Sequence, residues 1–243
     1  MLVSKRINFI SNWIKDYAKK NNFSLVVGVS GGIDSAVTST LCAKTNLKTI
    51  VVSMPIRQNE KQHDLSLKHI DWLKSNFNNV LNHTINLDDV FKCFKDTMKS
   101  FESDLAFANS RSRLRMVTLY QIAQFNKAIV VGTGNKVEDF GVGFYTKYGD
   151  GGVDISPIAD CTKTQVWEMG KQLGIFKQII DAKPTDGLWD DSRDDEDQIG
   201  LNYEQLEEVM NNPLSQHFEK YNKLRKLNLH KMIPIPICKF NEE

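Results

Sequence analysis

The sequence predicts an α/β protein in which helices cover both faces of a doubly wound, mostly parallel sheet. Short apolar runs rich in β-branched residues alternate with amphipathic stretches, and a paired-glycine turn follows the first apolar run. Such alternation with right-handed crossovers produces this architecture. No apolar run approaches the roughly 20 residues that a membrane span requires. We expect residues 1–243 to form one domain.

The first half of the chain alternates regularly between helical and extended patterns. Ile7, Ile10, Ile14 and Ala18 recur at helical spacing, so a first helix ending near residues 21–22 is expected. The compact runs that follow are typical of strands buried on both faces of a sheet. The predicted strands are 24–29, 49–54 and 80–87, separated by helices that begin near residue 33 and cover 61–77.

The second half contains more irregular sequence. Helices are predicted at 87–101 and 105–125, followed by a strand at 128–132. Residues 133–157 are rich in glycine and polar side chains and are predicted to be too irregular for regular structure throughout, which is typical of functional loops. Helices are again predicted at 162–173, 202–210 and 213–227. The acidic segment 184–197 fits either a flexible surface loop or a lid that closes over substrate.

Composition argues against several classes of partner. The 31 basic and 30 acidic residues nearly cancel, so the chain lacks the positive balance typical of nucleic-acid binding. Residues 1–13 lack the apolar centre of a signal peptide, and no membrane association is expected. The four cysteines, Cys42, Cys93, Cys161 and Cys238, are scattered without metal-ligand spacing. We expect them to be reduced and mostly buried, in a cytoplasmic protein.

The sharpest local feature is the turn Val29-Ser30-Gly31-Gly32-Ile33-Asp34-Ser35 between a predicted strand and a predicted helix. Paired glycines let the backbone approach an anion, and the helix N-terminus stabilises negative charge. The Ser30 and Ser35 hydroxyls can also donate. Asp34 would repel phosphate unless a divalent cation lies between them, so we assign Asp34 to magnesium. The alternative is an incidental glycine turn.

The turn matches neither the Gly-x-x-x-x-Gly-Lys phosphate loop nor the Gly-x-Gly-x-x-Gly dinucleotide fingerprint. It resembles the Ser-Gly-Gly-x-Asp-Ser signature of the PP-loop ATP pyrophosphatases. That resemblance implies an adenine nucleotide alpha-hydrolase-like fold and an enzyme that transfers AMP from ATP with release of pyrophosphate.

Later motifs resemble those of the NAD synthetase family, in order along nearly the whole chain. They are residues 109–116, 132–138 and 144–155, then Pro157, Thr162-Lys163, residues 183–185 and His230-Lys231. The family resemblance implies an ammonia-dependent carbon–nitrogen ligase. ATP would adenylate the nicotinate carboxylate of deamido-NAD, pyrophosphate would leave, and ammonia would displace AMP to give NAD.

The resemblance also implies roles for individual residues and a homodimer with the dinucleotide site at its interface. ATP would be bound by Gly28, Val29, Ser30, Gly31, Gly32, Ile33, Asp34, Ser35, Thr133, Lys163 and Thr185. Magnesium would be held by Asp34 and Glu138. Deamido-NAD would be contacted by Arg113, Lys147, Asp154, His230 and Lys231.

Asp150 and Lys147 are the candidate catalytic residues in the glycine-rich loop. A carboxylate between Lys147 and Asp154 can bind ammonium and accept its proton before attack on the adenylate. Ser112 stands where family members more often carry alanine, a change that we expect to matter little. Arg111, Arg113 and Arg115 lie two apart on a helix, so they are not all expected to face one ligand.

Several alternatives remain open at this stage. Another PP-loop enzyme, such as a GMP synthetase ATPase subunit or a tRNA-modifying enzyme, shares the glycine loop, and so would a non-catalytic adenine-nucleotide sensor. Retention of both Asp34 and Glu138 favours catalysis. Glutamine use would need an additional amidotransferase unit with a cysteine nucleophile, so ammonia is the expected donor, although a separate glutaminase subunit remains possible. The histidines His63, His69, His83 and His217 lack metal-ligand spacing and are expected to be packing or surface residues.

Overall fold

The computed structural model describes residues 1–189 and 194–240. These described residues form four strands, namely β1 (Ser24–Gly28), β2 (Thr49–Ser53), β3 (Val80–Thr84) and β4 (Ala128–Val130). The helices are α1 (Val3–Lys20), α2 (Ile33–Lys44), α3 (Glu60–Asn76), α4 (Asp88–Thr97), α5 (Asp104–Asn126), α6 (Lys163–Gln172), α7 (Lys177–Ile180), α8 (Asp195–Ile199), α9 (Tyr203–Asn211) and α10 (Phe218–Met232). A 3₁₀ turn covers Lys99–Phe101 and a π-helical segment covers Lys136–Val142.

The strands form one parallel sheet in the order β3-β2-β1-β4. Leu25 pairs with Thr49 and Ser24 with Ala128, which places β1 in the middle of the sheet. The strand order reverses at β1: the chain adds β2 and β3 on one side of β1 and then returns to add β4 on the other side. This confirms the predicted doubly wound, parallel architecture.

Alternate side chains of β1 enter two different hydrophobic cores. Leu25 and Val27 pack on the face covered by α1, α2 and α6, whereas Val26 packs on the face covered by α4 and α5. Burial on both faces explains why the sequence of β1 is almost continuously apolar. A third core joins the π-helical segment with α8, α9 and α10, and Val137, Tyr203 and Leu206 lie at its centre. This third core supports the residues that follow β4.

Two predicted helix boundaries are wrong, and the segment predicted to be irregular contains one regular element. The helix predicted at 87–101 ends at Thr97 and is followed by the 3₁₀ turn. Residues 133–157 contain the π-helical segment, whose first N–H groups are capped by the Asn135 side chain. The helix predicted from Pro213 begins only at Phe218, because the backbone between Asn212 and Phe218 folds into turns closed by Ser215. The other predicted elements are present with small differences at their ends.

Within the described ranges, no helix is both long and apolar enough to cross a membrane. All four cysteines are free thiols. Cys42 and Cys161 are buried, but Cys93 and Cys238 are exposed, so the expectation of mostly buried cysteines is wrong for half of them.

Candidate active site

The glycine turn lies where β1 ends and α2 begins, at the carboxyl edge of the sheet. Gly31 has φ of +91°, and a Cβ there would lie 2.3 Å from the Gln62 carbonyl oxygen, so only glycine fits. Ser35 Oγ donates to the Gly32 carbonyl at 2.9 Å and accepts from the Ser30 N–H at 3.2 Å. The turn is therefore closed on itself and presents the first turn of α2 as a site for an anion.

Two carboxylates converge on one lysine beside this turn. Lys163 Nζ lies 2.6 Å from Asp34 Oδ2 and 2.8 Å from Glu138 Oε1, and the lysine side chain is only 2% exposed. Asn135 Nδ2 also donates to Asp34 Oδ1 at 3.1 Å. These contacts bring together residues from α2, α6 and the π-helical segment. The sequence-predicted pair Asp34 and Glu138 thus shares one site with the sequence-predicted Lys163.

The charges in this cluster control one another. Burial raises the pKa of Asp34 above its usual value, and the neighbouring Glu138 adds to that effect. Burial opposes ionisation of Glu138 as well, but Lys163 and the Tyr203 hydroxyl outweigh it and lower the pKa of Glu138. Burial likewise disfavours the Lys163 charge, yet the two carboxylates raise the pKa of Lys163. One ammonium faces two carboxylates, so the cluster has a net negative charge that suits a further cation.

Asp150 lines the same cavity and is hydrogen-bonded to Ser112. Its Oδ1 accepts from Ser112 Oγ at 2.6 Å and from the Thr146 N–H at 3.0 Å, and its own N–H donates to Ser112 Oγ at 2.9 Å. Loss of hydration in the cavity raises the pKa of Asp150, although these hydrogen bonds oppose the rise. Ser112 therefore matters more than the small-for-small change expected from the sequence, since an alanine could make neither of its two bonds to Asp150.

These groups surround one cavity of about 670 Å³. Most of the sequence-predicted site residues line it, namely Gly28, Val29, Ser30, Gly32, Ile33, Asp34, Ser35, Thr133, Glu138, Asp150, Lys163, Thr185, His230 and Lys231. Gly31 belongs to the same turn but faces α3, so it shapes the turn without lining the cavity.

Three predicted dinucleotide contacts do not line the cavity. Arg113 Nε donates to the Lys147 carbonyl at 3.2 Å, and Lys147 Nζ donates to the His230 carbonyl at 3.1 Å. Asp154 accepts from the Val130 N–H at 2.7 Å and from the Tyr120 hydroxyl at 3.1 Å. In this chain these three side chains form intramolecular contacts around the outer side of the site.

The arginines of α5 diverge, as their spacing predicts. Arg113 is exposed, whereas Arg111 is buried and donates to the Leu188 carbonyl. Arg115 donates to the Met54 carbonyl and lines the cavity. Burial, together with the charge of Arg111, lowers the pKa of Arg115 to about 10.

The motif reading missed several groups that belong to the site. Asn135 caps the π-helical segment and contacts Asp34, and Asp139 packs against Gly134, where any Cβ would collide with its carboxylate. The Tyr203 hydroxyl contacts Glu138 directly, and Asp195 contacts the same hydroxyl. Asn135 lies within the motif that contains Glu138 and Asp139 follows it directly, so their positions gave a signal. Asp195 lies in the acidic segment 184–197, which gave only a weak signal, and Tyr203 gave none.

One of the histidines that lack metal-ligand spacing, His69, has a packing role. His69 is fully buried and its Nε2 lies 3.0 Å from Ser39 Oγ. In the described residues no group of three or more His, Cys, Asp or Glu side chains has the arrangement of a metal site by itself. The predicted acidic lid or loop at 184–197 includes residues 190–193, which lie outside the described residues.

A parallel α/β sheet with a Ser-Gly-Gly-x-Asp-Ser turn at the carboxyl end of β1 defines a nucleotide-binding protein of the PP-loop class. The NAD synthase family model matches residues 6–240. This chain therefore belongs to the NAD synthase family, which confirms the resemblance seen in its motifs.

Individual relatives agree with this assignment. The chain is 36% identical over 233 residues to an NH(3)-dependent NAD(+) synthetase of Saccharolobus solfataricus, covering 95% of this chain and 79% of the relative. It is also similar to the structure of an NMN synthetase from Francisella tularensis, with a TM-score of 0.92, 32% identity and coverage of 99% and 100% of the two chains. An NH3-dependent NAD synthetase from Campylobacter jejuni shares the fold, with a TM-score of 0.79 at 23% identity over 98% and 100% of the chains.

Proposed function

We propose that this chain is an ammonia-dependent carbon–nitrogen ligase that converts deamido-NAD to NAD. ATP adenylates the nicotinate carboxylate with release of pyrophosphate, and ammonia then displaces AMP. A carboxylate needs this activation because its oxygen is a poor leaving group towards an amine. One observation carries the proposal: the glycine turn, the Lys163-bridged carboxylates and Asp150 all line a single cavity.

The glycine turn and α2 bind the phosphates of ATP in this proposal. Backbone N–H groups at the start of α2 and the Ser30 hydroxyl donate to phosphate oxygens. Lys163 adds a positive point charge, and Thr133 and Thr185 line the cavity on either side. Because the turn is held by its own hydrogen bonds, little ordering is needed when the phosphates bind.

Asp34 and Glu138 hold magnesium in this proposal. The two carboxylates converge on the same ammonium nitrogen at 2.6 and 2.8 Å, so the oxygen donors lie close enough to share one small cation. Their residual negative charge fits a hard divalent ion. When bound, such an ion neutralises charge that develops on the leaving pyrophosphate. Lys163 then has phosphate oxygens as alternative partners.

Asp150 receives the nitrogen donor. Its carboxylate is fixed by Ser112 and the Thr146 N–H, and its raised pKa brings it closer to the range in which a carboxylate accepts a proton. Asp150 can pair with an ammonium ion and take its proton, and the ammonia so formed then attacks the adenylate with its lone pair. Lys231 lines the cavity and supplies positive charge near the nicotinate carboxylate, and it is held by the Tyr145 carbonyl at 2.7 Å.

The test uses the purified chain with ATP, magnesium and deamido-NAD, and it measures pyrophosphate and NAD separately. Ammonium chloride is expected to support NAD formation, increasingly as pH rises and more of the amine is unprotonated. Glutamine freed of ammonia is expected to support almost none. Absence of pyrophosphate release with deamido-NAD would refute the proposed reaction, and efficient turnover with glutamine would refute the proposed nitrogen donor.

A second candidate is amidation of nicotinate mononucleotide to NMN, with the same activation chemistry on a smaller substrate. The similarity to the Francisella tularensis NMN synthetase over the full length of both chains favours it. Arg113, Lys147 and Asp154, the residues expected to contact the dinucleotide, are instead bonded within the chain and lie outside the cavity. A mononucleotide would not need them.

A comparison of the two substrates separates these candidates. The ratio of kcat/KM for deamido-NAD to that for nicotinate mononucleotide is measured at saturating ATP and ammonia. A ratio well above one supports the NAD synthetase, and a ratio well below one supports the NMN synthetase. Asp154→Ala serves as a second readout, because it is expected to raise KM for the dinucleotide only if Asp154 contacts it.

The assembly, the location and the domain organisation are also proposals. We propose a homodimer, supported by apolar residues exposed on α5, namely Val117, Tyr120 and Phe125, which are 66%, 38% and 85% exposed. Light scattering on Val117→Glu is expected to report a monomer if this surface forms the interface.

A cytoplasmic location is supported by the four free thiols. One domain spanning residues 1–243 stays a prediction.

A further inference from the structure

Glu138 is held by a second group besides Lys163. The Tyr203 hydroxyl donates to Glu138 Oε1 at 2.6 Å, and the same hydroxyl lies 3.0 Å from Asp195 Oδ2. Tyr203 is the first residue of α9 and Asp195 the first residue of α8. The starts of two consecutive helices, both far along the chain from Glu138, thus form one line of contacts that ends at its carboxylate. The predicted motifs contain neither residue.

This chain of contacts is enclosed by protein. Tyr203 is 2% exposed and Asp195 is 5% exposed. The Tyr203 ring packs edge-on against Trp167 with ring centroids 5.9 Å apart, and Lys163 Nζ lies 4.7 Å from the Tyr203 ring centroid. Tyr203 therefore contacts both members of the Lys163–Glu138 pair.

The hydroxyl proton can serve only one of the two oxygens. Since the contact to Glu138 is the shorter, Tyr203 donates to Glu138, and the contact to Asp195 is then a hydrogen bond only if Asp195 supplies the proton. Burial, with the charge of Glu138 next, raises the pKa of Asp195 to about 7, so this carboxyl holds a proton far more readily than an ordinary aspartate does. The other oxygen of Asp195, Oδ1, is buried without a hydrogen-bond partner among the described residues, as a neutral acid tolerates better than a carboxylate does.

We propose that Tyr203 and Asp195 are positioning residues for Glu138. The protonated Asp195 donates to Tyr203, and Tyr203 donates to Glu138, so that the Glu138 carboxylate stays aimed at the site that it shares with Asp34. Hydrogen-bonded partners of metal ligands commonly act in this way. The inference rests on the proposed role of Glu138 in holding the metal.

Binding of Mn²⁺ in the presence of α,β-methylene ATP, followed by electron paramagnetic resonance, tests the proposal without turnover. Tyr203→Phe removes only the hydroxyl and keeps the ring contacts with Trp167 and Lys163. It is expected to weaken Mn²⁺ binding about tenfold, in the range seen when a hydrogen-bond partner of a metal ligand is lost. In steady-state assays, the magnesium concentration for half-maximal rate is expected to rise, while KM for the nicotinate substrate stays unchanged.

Asp195 variants test the direction of the hydrogen bond. Asp195→Ala is expected to resemble Tyr203→Phe, and the double variant is expected to be no worse than either single variant, because both residues act through one chain. Asp195→Asn keeps a donor towards Tyr203 and is expected to bind Mn²⁺ nearly as the parent protein does. An Asp195→Asn protein as weak as Asp195→Ala would overturn the role of Asp195 as donor.

Two controls separate this inference from its foundation. Tyr221→Phe removes a hydroxyl from the same core but away from Glu138, and it is expected to leave Mn²⁺ binding unchanged. Glu138→Gln tests the proposed metal role itself. If Glu138→Gln leaves Mn²⁺ binding intact, the metal assignment fails. If Glu138→Gln weakens binding but Tyr203→Phe does not, the positioning role fails although the metal assignment stands.

Discussion

Removing the charge of Lys163 tests the electrostatic design of the site. Lys163→Met keeps an unbranched chain of similar length but leaves Asp34 and Glu138 without their shared ammonium. Both ion pairs are enclosed, since the lysine is 2% exposed and the carboxylates are 17% and 15% exposed. Breaking a buried pair by removing one partner costs about 3–5 kcal/mol, whereas an exposed pair contributes about 0–1 kcal/mol.

The assay is chemical unfolding at neutral pH, and the free energy of unfolding is expected to fall by about 3–5 kcal/mol in Lys163→Met. The loss is expected to shrink as pH falls. Without Lys163, the folded-state pKa of Asp34 is expected to rise further above its unfolded value, and that of Glu138 to change from lowered to raised. Groups with raised folded pKa values bind protons more readily in the folded protein, so acidification stabilises the variant relative to its parent.

Two further proteins make this experiment decisive. Lys163→Met/Glu138→Gln removes one charge of each sign and is expected to recover a large part of the stability. Lys177 forms an exposed pair with Asp181 at 3.8 Å, so Lys177→Met is the matched control and is expected to lose less than about 1 kcal/mol. If Lys163→Met were as mild as this control and insensitive to pH, the buried-charge account of the site would be refuted.

Three other predictions use different parts of the molecule. Gly31→Ala places a Cβ 2.3 Å from the Gln62 carbonyl at φ of +91°, so ATP binding measured by calorimetry is expected to be lost even where the protein still folds. Asp150→Asn is expected to retain more pyrophosphate release than NAD formation, and equal loss of both steps would indicate a structural role. Burial lowers the pKa of His69 to about 4, so the unfolded chain takes up a proton first as pH falls from about 6.5 to 4. Unfolding free energy should then fall by up to about 3 kcal/mol over that range, and His69→Gln should lack this part of the slope.

The parts of the site that sequence could predict are those set by local rules. A paired-glycine turn between a buried strand and a helix has few possible structures, so the position of Gly31 and Asp34 at the carboxyl edge of β1 followed from the pattern alone. The parallel sheet followed from strand and helix alternation. Errors occurred where side chains or turns override the pattern, as at Pro213 and in the π-helical segment capped by Asn135.

The contacts that tune the site could not be predicted, because they join residues distant in sequence. Ser112 and Asp150 are 38 residues apart, and Glu138 and Tyr203 are 65 residues apart. Periodicity places Tyr203 at the start of a helix but gives no information about which carboxylate its hydroxyl reaches. That contact depends on how α8, α9 and the π-helical segment pack in the third core, which only the folded chain determines.

The third core therefore has a functional consequence as well as a structural one. Its apolar members, including Val137 and Leu206, flank the two residues that contact each other across it, Glu138 and Tyr203. Packing of the core fixes the backbone positions of these two residues, and the hydrogen bond fixes the orientation of their side chains. Because Glu138 also contacts Lys163, any shift of α9 changes the charge environment next to the glycine turn. Core substitutions near α9 are thus expected to alter ligand binding before they unfold the protein.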